Sequence, residues 1–284
     1  MFYNIETGSR FPASNLMTLP PKISIITVVR NGEQYIESAI KSIISQTYEN
    51  IEYIVIDGKS SDGTVEIIKE FEDCITHWIS EPDKGIYDAM NKGVRFSTGE
   101  WILFINSDDY LLNDHVIEQA VPFLNKCTNL IAYGQVQISF SAGEDKTSGD
   151  EWDKLKYRFR NVAMCFPHQG TFHSKRLFDQ GLFDNSFKIA GDYDLLLRHL
   201  KNNDATFIPV LIAKMRAVGI SNNAGKLLLL RETRRVQVKN GIYKLVPSYP
   251  WIISAAKLIV TNFIIRSIGI DGKDKLKKIL GKHN

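Results

Sequence analysis

Five side chains follow short apolar runs in this chain: Asn31, Asp57, Asp83, Asp108 and Asp109. Carboxylates in such places have two uses. As hard oxygen ligands they hold a divalent cation, Mg²⁺ or Mn²⁺, that stays partly open and can bind a diphosphate. The plainer use is local, an Asp pair that ends a strand and caps a turn. For Asp108-Asp109 taken alone the plain use is the better explanation. Placed on one edge with Asp57 and Asp83, the same pair favours the cation. Neither G-x-x-x-x-G-K-[ST] nor G-x-G-x-x-G follows the first apolar run, which disfavours a backbone cradle for a triphosphate or dinucleotide.

The order of elements decides whether these groups meet. Ile23–Val29 is short, β-branched and mostly apolar, as expected of a buried strand. Apolar residues at Ile36, Ala39, Ile40, Ile43 and Ile44 mark one helix face. Residues 51–56 read as a second strand, and 59–64 supply turn and cap chemistry for a helix through Val65, Ile68 and Phe71. A third strand near 76–80, a helix over 86–96 closed by Ser97-Thr98-Gly99, and a fourth strand over 101–105 complete the series. Such alternation with short connections implies an α/β fold, a parallel sheet built by right-handed crossovers. Ligands then sit outside the carboxyl ends of the strands, where the polar residues gather.

Beyond residue 125 the pattern changes. Residues 130–138 read as a strand, 139–150 as a polar loop, 151–160 as a basic, aromatic-rich helix or loop, and 165–172 as extended chain. Residues 174–180 look helical, another helix starts near Asp192, two short strands are expected within 206–218, and the chain looks helical from Gly225.

The 284 residues suffice for one large domain, or one domain plus a smaller appendage. A content of 44% hydrophobic and 24% charged residues describes a folded globular chain, and a net charge of +3 gives no reason to expect nucleic acid. Cys74, Cys127 and Cys165 are far apart and odd in number, so buried or half-buried reduced thiols are expected rather than disulfides or zinc. Residues 1–21 read as an extension without the features of a signal peptide, and no stretch reaches the ~18 apolar residues of a spanning helix. The expected compartment is the cytoplasm.

Taken in order, Ile26-Thr27-Val28-Val29-Arg30-Asn31, Ile56-Asp57-Gly58-Lys59-Ser60-Ser61-Asp62-Gly63-Thr64, Glu81-Pro82-Asp83-Lys84-Gly85 and Asn106-Ser107-Asp108-Asp109 carry a resemblance. Together they resemble the family 2 inverting glycosyltransferases of the GT-A fold, above all the branch that builds bacterial surface polysaccharides. The likeness covers about 22–220. It implies a mixed sheet flanked by helices, with a donor half at 22–110, an acceptor half at 111–220 and a helical C-terminal region at 221–284. It also implies a nucleoside-diphosphate sugar as donor, a glycan or lipid-linked glycan as acceptor, and a divalent cation.

By the same resemblance Asp57 accepts a hydrogen bond from the donor's nucleobase, since a ring N–H suits a carboxylate. Thr27, Val29 and Asn31 line the base and ribose pocket, and Asp83 lies near ribose and diphosphate. Lys84 adds positive charge there or is simply a solvated lysine, and the N–H groups opening the next helix favour an anion. The family's D-x-D element has a carboxylate where this chain has Asn106, followed by Ser107. An Asn still coordinates through its carbonyl oxygen but brings no charge. Asp108 is therefore the expected metal ligand, and Asp109 a second ligand or an orienter.

Pro167-His168-Gln169-Gly170, Gly181-Leu182-Phe183-Asp184 and Gly191-Asp192-Tyr193-Asp194 are similar to the family's acceptor and base segments. Asp192 takes the base position, with His168 and Gln169 on the acceptor side. Inversion by single displacement asks one carboxylate to take the acceptor proton while the cation stabilises the leaving diphosphate. Asp192 is also read as a helix N-cap ahead of Tyr193, His168 equally as structural, and Asp194 as structural.

Residues 251–268 are apolar, interrupted by Ser254, Lys257, Thr261, Asn262 and Arg266, and Lys273, Lys275, Lys277, Lys278 and Lys282 follow. Two readings stand level. One lays 251–284 on an anionic membrane, peripheral on the inner face of the cytoplasmic membrane. The other packs it on the catalytic domain or on a second subunit in a homodimer. Two further functions stay open: a non-catalytic nucleotide-sugar-binding scaffold, to which Asn106 lends footing, and a sugar-phosphate nucleotidyltransferase, which Arg30-Asn31-Gly32-Glu33 matches poorly.

Overall fold

The computed structural model describes residues 20–140, 145–216, 225–243, 245–257, 259 and 260. Residues 1–19 of the expected extension, the 220/221 boundary, the apolar stretch 261–268 and the lysine cluster lie outside the described residues.

Strands β1 (Ile23–Val29), β2 (Ile51–Asp57), β3 (His77–Ser80) and β4 (Trp101–Phe104) alternate with helices α1 (Ile36–Ile44), α2 (Thr64–Glu70) and α3 (Ile86–Phe96). The four strands pair in parallel in the order β3-β2-β1-β4. All seven residues of β1 are buried because both sheet faces are covered. Ile23, Ile25 and Val29 pack with Ile36, Ile40 and Ile43 of α1, whereas Ile26 and Val28 pack with Met90 and Val94 of α3. The period of two along β1 thus feeds two separate cores.

The second half is β5 (Tyr110–Leu111), α4 (Val116–Leu124), β6 (Ile131–Ser139), β7 (Asp145–Ser148), α5 (Trp152–Asn161), β8 (Thr171–Ser174), α6 (Gly191–Leu200), β9 (Thr206–Arg216) and α7 (Lys226–Lys239). The sheet continues β4-β8-β6-β9-β5, with β7 beside β6. The parallel pairing inferred from spacing holds for β1 to β4 and ends there. The chain reaches β8 at the carboxyl edge of β4, so β8 runs back antiparallel to β4 and to β6. The sheet is mixed, flanked by helices.

Other local expectations change as well. A single strand, β9, replaces two short ones, because a register irregularity opposite Gln135 absorbs Pro209, which lacks an N–H to pair. Within the expected polar loop 139–150, β7 pairs with β6. His168–Gly170 forms a 3₁₀ turn ahead of β8 rather than extended chain, and the helical stretch expected over 174–180 is a 3₁₀ helix at Lys175–Gln180. Cys74 is exposed at the end of a surface 3₁₀ turn, and all three thiols are free.

Helix α7 packs on α6, with Val236 and Gln237 fully buried. The Gln237 amide donates to the carbonyls of Asn161 and Val162, tying α7 to the end of α5. Among the described residues no helix is long and apolar enough to cross a membrane.

Gly93 of α3 lies close against β1, where a Cβ would come 2.5 Å from Ile26 Cγ2. Gly93→Ala should therefore lower stability by about 1–3 kcal/mol, as overpacking of a filled core does. Urea unfolding should show a lower midpoint at unchanged slope.

Candidate functional site

Strand order reverses across β1, with β2 on one side and β4 on the other, and in a sheet of this kind the ligand crevice lies there, beyond the carboxyl ends. The loops after β1 and β4 meet at Gly32. A Cβ there would lie 2.6 Å from Val29 Cγ2 and 3.2 Å from Ser107 Oγ. Asn31, left-handed at φ 53°, joins the next loop: its N–H donates to Ser60 Oγ at 2.7 Å and its Oδ1 accepts from Ser61 N–H at 2.9 Å.

Three residues expected along the base and ribose pocket turn inward. Thr27 is fully buried and accepts from the Tyr53 hydroxyl at 3.2 Å, and Val29 belongs to the core. The Asp57 carboxylate is fully buried and accepts from Ser60 N–H at 3.0 Å, from Ser80 Oγ at 2.5 Å and from Ser60 Oγ. Asn31 is the exposed member of the set.

Asp83 folds over Gly58, where a Cβ would collide with its Oδ2, and its Oδ1 accepts from Gly85 N–H at 2.9 Å. Gly85 has φ 122°, a turn that favours glycine. Of the N–H groups opening α3, that of Gly85 is thus already taken. The Lys84 side chain is exposed, and its N–H donates to Asp88 Oδ2 at 3.0 Å.

Beyond β4, Asp109 is buried and its Oδ2 accepts from Asn106 Nδ2 at 3.3 Å and Gln169 Nε2 at 3.0 Å. Burial first, then the neighbouring Asp108, pushes the Asp109 carboxyl up to about 7. The antiparallel start of β8 is what brings Gln169 to this corner. Asn106 Oδ1 is buried without a partner, and Asp108 makes no hydrogen bond among the described residues. An orphaned carbonyl oxygen beside a carboxylate suits a hard dication that takes its remaining ligands from a diphosphate. No three His, Cys, Asp or Glu side chains converge as a cage among the described residues.

His168 is buried and stacks on Phe104, with ring centres 5.0 Å apart, and meets His173 edge-on at 4.9 Å. Burial, then His173, holds its pKa well below the usual imidazole value, so it is neutral.

Asp192 stands in the first turn of α6. The cap position is Ala190, so the N-cap expectation is corrected. Its Oδ1 accepts from Tyr193 N–H at 2.8 Å and lies 3.4 Å from the Tyr87 hydroxyl. That hydroxyl donates to Ile189 O at 2.6 Å, and Gly191 lies against the Tyr87 ring, where a Cβ would come within 2.6 Å. Burial, and more weakly Glu232, raises the Asp192 carboxyl to about 6. Asp194 is fully buried and accepts from Lys239 Nζ and Asn240 Nδ2.

The contacts run as an arc. Asn31 holds the loop of Asp57, Asp83 covers Gly58, Tyr87 links the start of α3 to Asp192, Ser107 meets Gly32, and Gln169 reaches Asp109. The hydroxyl contacts of Ser80 and Tyr87 leave no signal in the sequence, because nothing in either residue type announces a partner so distant in the chain.

The glycosyl transferase family 2 model matches residues 24–187. An uncharacterised glycosyltransferase of Mycobacterium tuberculosis is 30% identical over 225 residues, covering 78% of this chain and 84% of that protein. A PGL/p-HBAD biosynthesis glycosyltransferase of Mycobacterium bovis is 28% identical over 254 residues, covering 85% and 96%. Among solved structures, S. aureus TarS in complex with UDP aligns with TM-score 0.58 at 17% identity, covering 76% of this chain and 65% of that one, just under two thirds. The mannosyltransferase PcManGT from Pyrobaculum calidifontis, in complex with GDP-Man and Mn²⁺, aligns with TM-score 0.58 at 15% identity, covering 92% and 80%.

Asp57→Ala would strand the hydroxyls of Ser60 and Ser80 around a buried gap. Without nucleotide present it should cost about 1–3 kcal/mol in urea unfolding, the penalty of unsatisfied buried donors.

Proposed function

The chain belongs to glycosyl transferase family 2, and on that premise we propose that it moves a sugar from a nucleoside diphosphate to an acceptor hydroxyl with inversion. One observation carries the reading. Tyr87 stands in the first turn of α3, just after Asp83-Lys84-Gly85, and its hydroxyl lies 3.4 Å from Asp192, so a proton acceptor stands beside the donor-side loop.

Asp192 takes the acceptor's proton as the acceptor oxygen attacks the anomeric carbon, and the bond from that carbon to the diphosphate breaks on the opposite face. A divalent cation, when bound, stabilises the charge that develops on the diphosphate. Asp108 and Asn106 Oδ1 would hold it, with Asp109 fixed by Gln169 as an orienter. Asn31, Asp57, Asp83 and Lys84, with Thr27, Val29 and Ser107 behind them, form the donor side, and Gln169 with His168 behind it faces the acceptor. TarS holds UDP and UDP-GlcNAc in its complexes, and PcManGT holds GDP-Man with Mn²⁺, which supports a nucleotide sugar as donor.

The C-terminal region favours a lipid-linked acceptor, reached from the membrane surface. Leu245 is 95% exposed, Tyr249 74% and Ile259 68%, an apolar surface that water does not favour. Basic residues dominate the sequence behind it.

Asp192→Asn should lower turnover roughly 10²–10⁴-fold while donor affinity is kept, and a parallel loss of both would sink the base assignment. Asp108→Ala should abolish the Mn²⁺-dependent part of donor binding in calorimetry. Because the base works ionised, kcat/KM should fall as pH drops through about 6, the value for Asp192. Donor bound tightly but never turned over with any acceptor would favour the scaffold. In flotation with phosphatidylserine vesicles, the Leu245→Glu/Tyr249→Glu variant should bind less than the wild type. Equal binding, with a dimer lost on sedimentation, would assign the surface to a second subunit.

A further inference from the structure

Helix α7 lies beyond the span matched by the family model, yet its second half touches the segment that carries Asp192. Glu232, Arg235 and Lys239 are spaced three and four apart and share one helix face. The Glu232 carboxylate accepts from the N–H groups of Lys188 and Ile189 at 2.8 Å each and of Ala190 at 2.9 Å. Arg235 donates to the Ser186 carbonyl at 3.1 Å and lies over the Phe187 ring. Lys239 bridges Asp184 and Asp194, with 2.8 Å to each.

Glu232 is only 6% exposed, and it is the one acid of α7 among five basic residues. A buried carboxylate is costly unless fully hydrogen-bonded. Three successive N–H groups converging on one anion meet that need and at the same time fix the backbone that supplies them. The same stretch is gripped from its other side, where the Ile189 carbonyl accepts from Tyr87.

We propose that Glu232 is a positioning residue for sugar transfer: by gathering the N–H groups of Lys188, Ile189 and Ala190 it sets how α6 begins and aims the Asp192 carboxylate at the acceptor oxygen. This rests on Asp192 being the base. The groups facing Asp192 from packed elements are Tyr87 of α3 and Glu232 of α7, and the negative charge of Glu232 adds to burial in holding the Asp192 proton. Removing that charge makes Asp192 a stronger acid.

The test compares Glu232→Ala, Glu232→Gln and Asp192→Asn with the wild type. Nucleoside diphosphate release is followed from UDP-GlcNAc and GDP-mannose with Mn²⁺, UDP and GDP affinity by calorimetry, and the Asp192 carboxyl by carbon NMR titration. In Glu232→Ala, kcat should fall roughly 10–100-fold, the scale of a misaimed catalytic group, with UDP or GDP affinity held within about twofold. Glu232→Gln keeps the shape and one acceptor oxygen, so its kcat should fall less. Its acid limb and the Asp192 titration should both move to lower pH.

Wild-type kcat together with an unmoved Asp192 titration in both Glu232 variants would overturn the proposal. So would a fall in kcat that tracks nucleotide affinity while the titration stays put, since that marks general loosening. Should Glu232→Ala fail to fold, Glu232→Gln decides. Should neither donor turn over, the Asp192 titration and the exchange rates of the 188–190 amides decide, with unchanged values counting against it. An Asp192→Asn protein as active as the wild type would remove the base reading and this proposal with it. An inactive one beside wild-type-like Glu232 variants would remove this proposal alone.

Discussion

Carboxylates gathered on one rim repel one another and shed hydration, so each must be answered by hydrogen-bond donors or by a cation. Most are answered from within the chain. Ser60 and Ser80 serve Asp57, Gly85 N–H serves Asp83, Asn106 and Gln169 serve Asp109, and Tyr193 N–H serves Asp192. Asp108 is left without a donor among the described residues, next to an unpaired Asn106 oxygen. In this light Asn106 is no simple loss of a ligand. A carboxylate there would add another acid beside Asp108 and Asp109, whereas the amide donates to Asp109 with one end and keeps a carbonyl oxygen at the other.

The sheet makes this arrangement possible. Parallel strands deliver polar residues to a single edge, and the reversal of order at β1 parts the loops around the crevice. Antiparallel β8 then brings Gln169 to the same edge from a different part of the chain. A wholly parallel sheet would have started β8 at the opposite edge and left Asp109 without that partner.

What depends on short-range pattern was legible from the residues: β1 at Ile23–Val29 and α3 at Ile86–Phe96 fall where periodicity placed them. The direction of β8 was not, since it depends on which edge the chain reaches after a long excursion. Nor was the unity of β9, because Pro209 reads as a break unless the bulge that β9 makes against β6 is known. In the site, Asp108, Asp109 and Asp192 were visible as residue types at motif positions. The fixing contacts were not, because Ser80 meets Asp57 across 23 residues and Tyr87 meets Asp192 across 105. Glu232 did leave a trace, as a lone acid in a basic helix, although only burial gives that trace meaning.

The grip of α7 on the segment before α6 has a temporal side. Glu232 trails Ala190 by 42 residues, and a ribosome adding roughly 5–20 residues per second needs about 2–8 s to make that stretch. Through that interval the crevice at β1 can already be complete in the nascent chain while the backbone ahead of Asp192 still lacks its anchor. The growing polypeptide thus completes the carboxyl edge of its parallel strands before the segment that carries Asp192 is anchored.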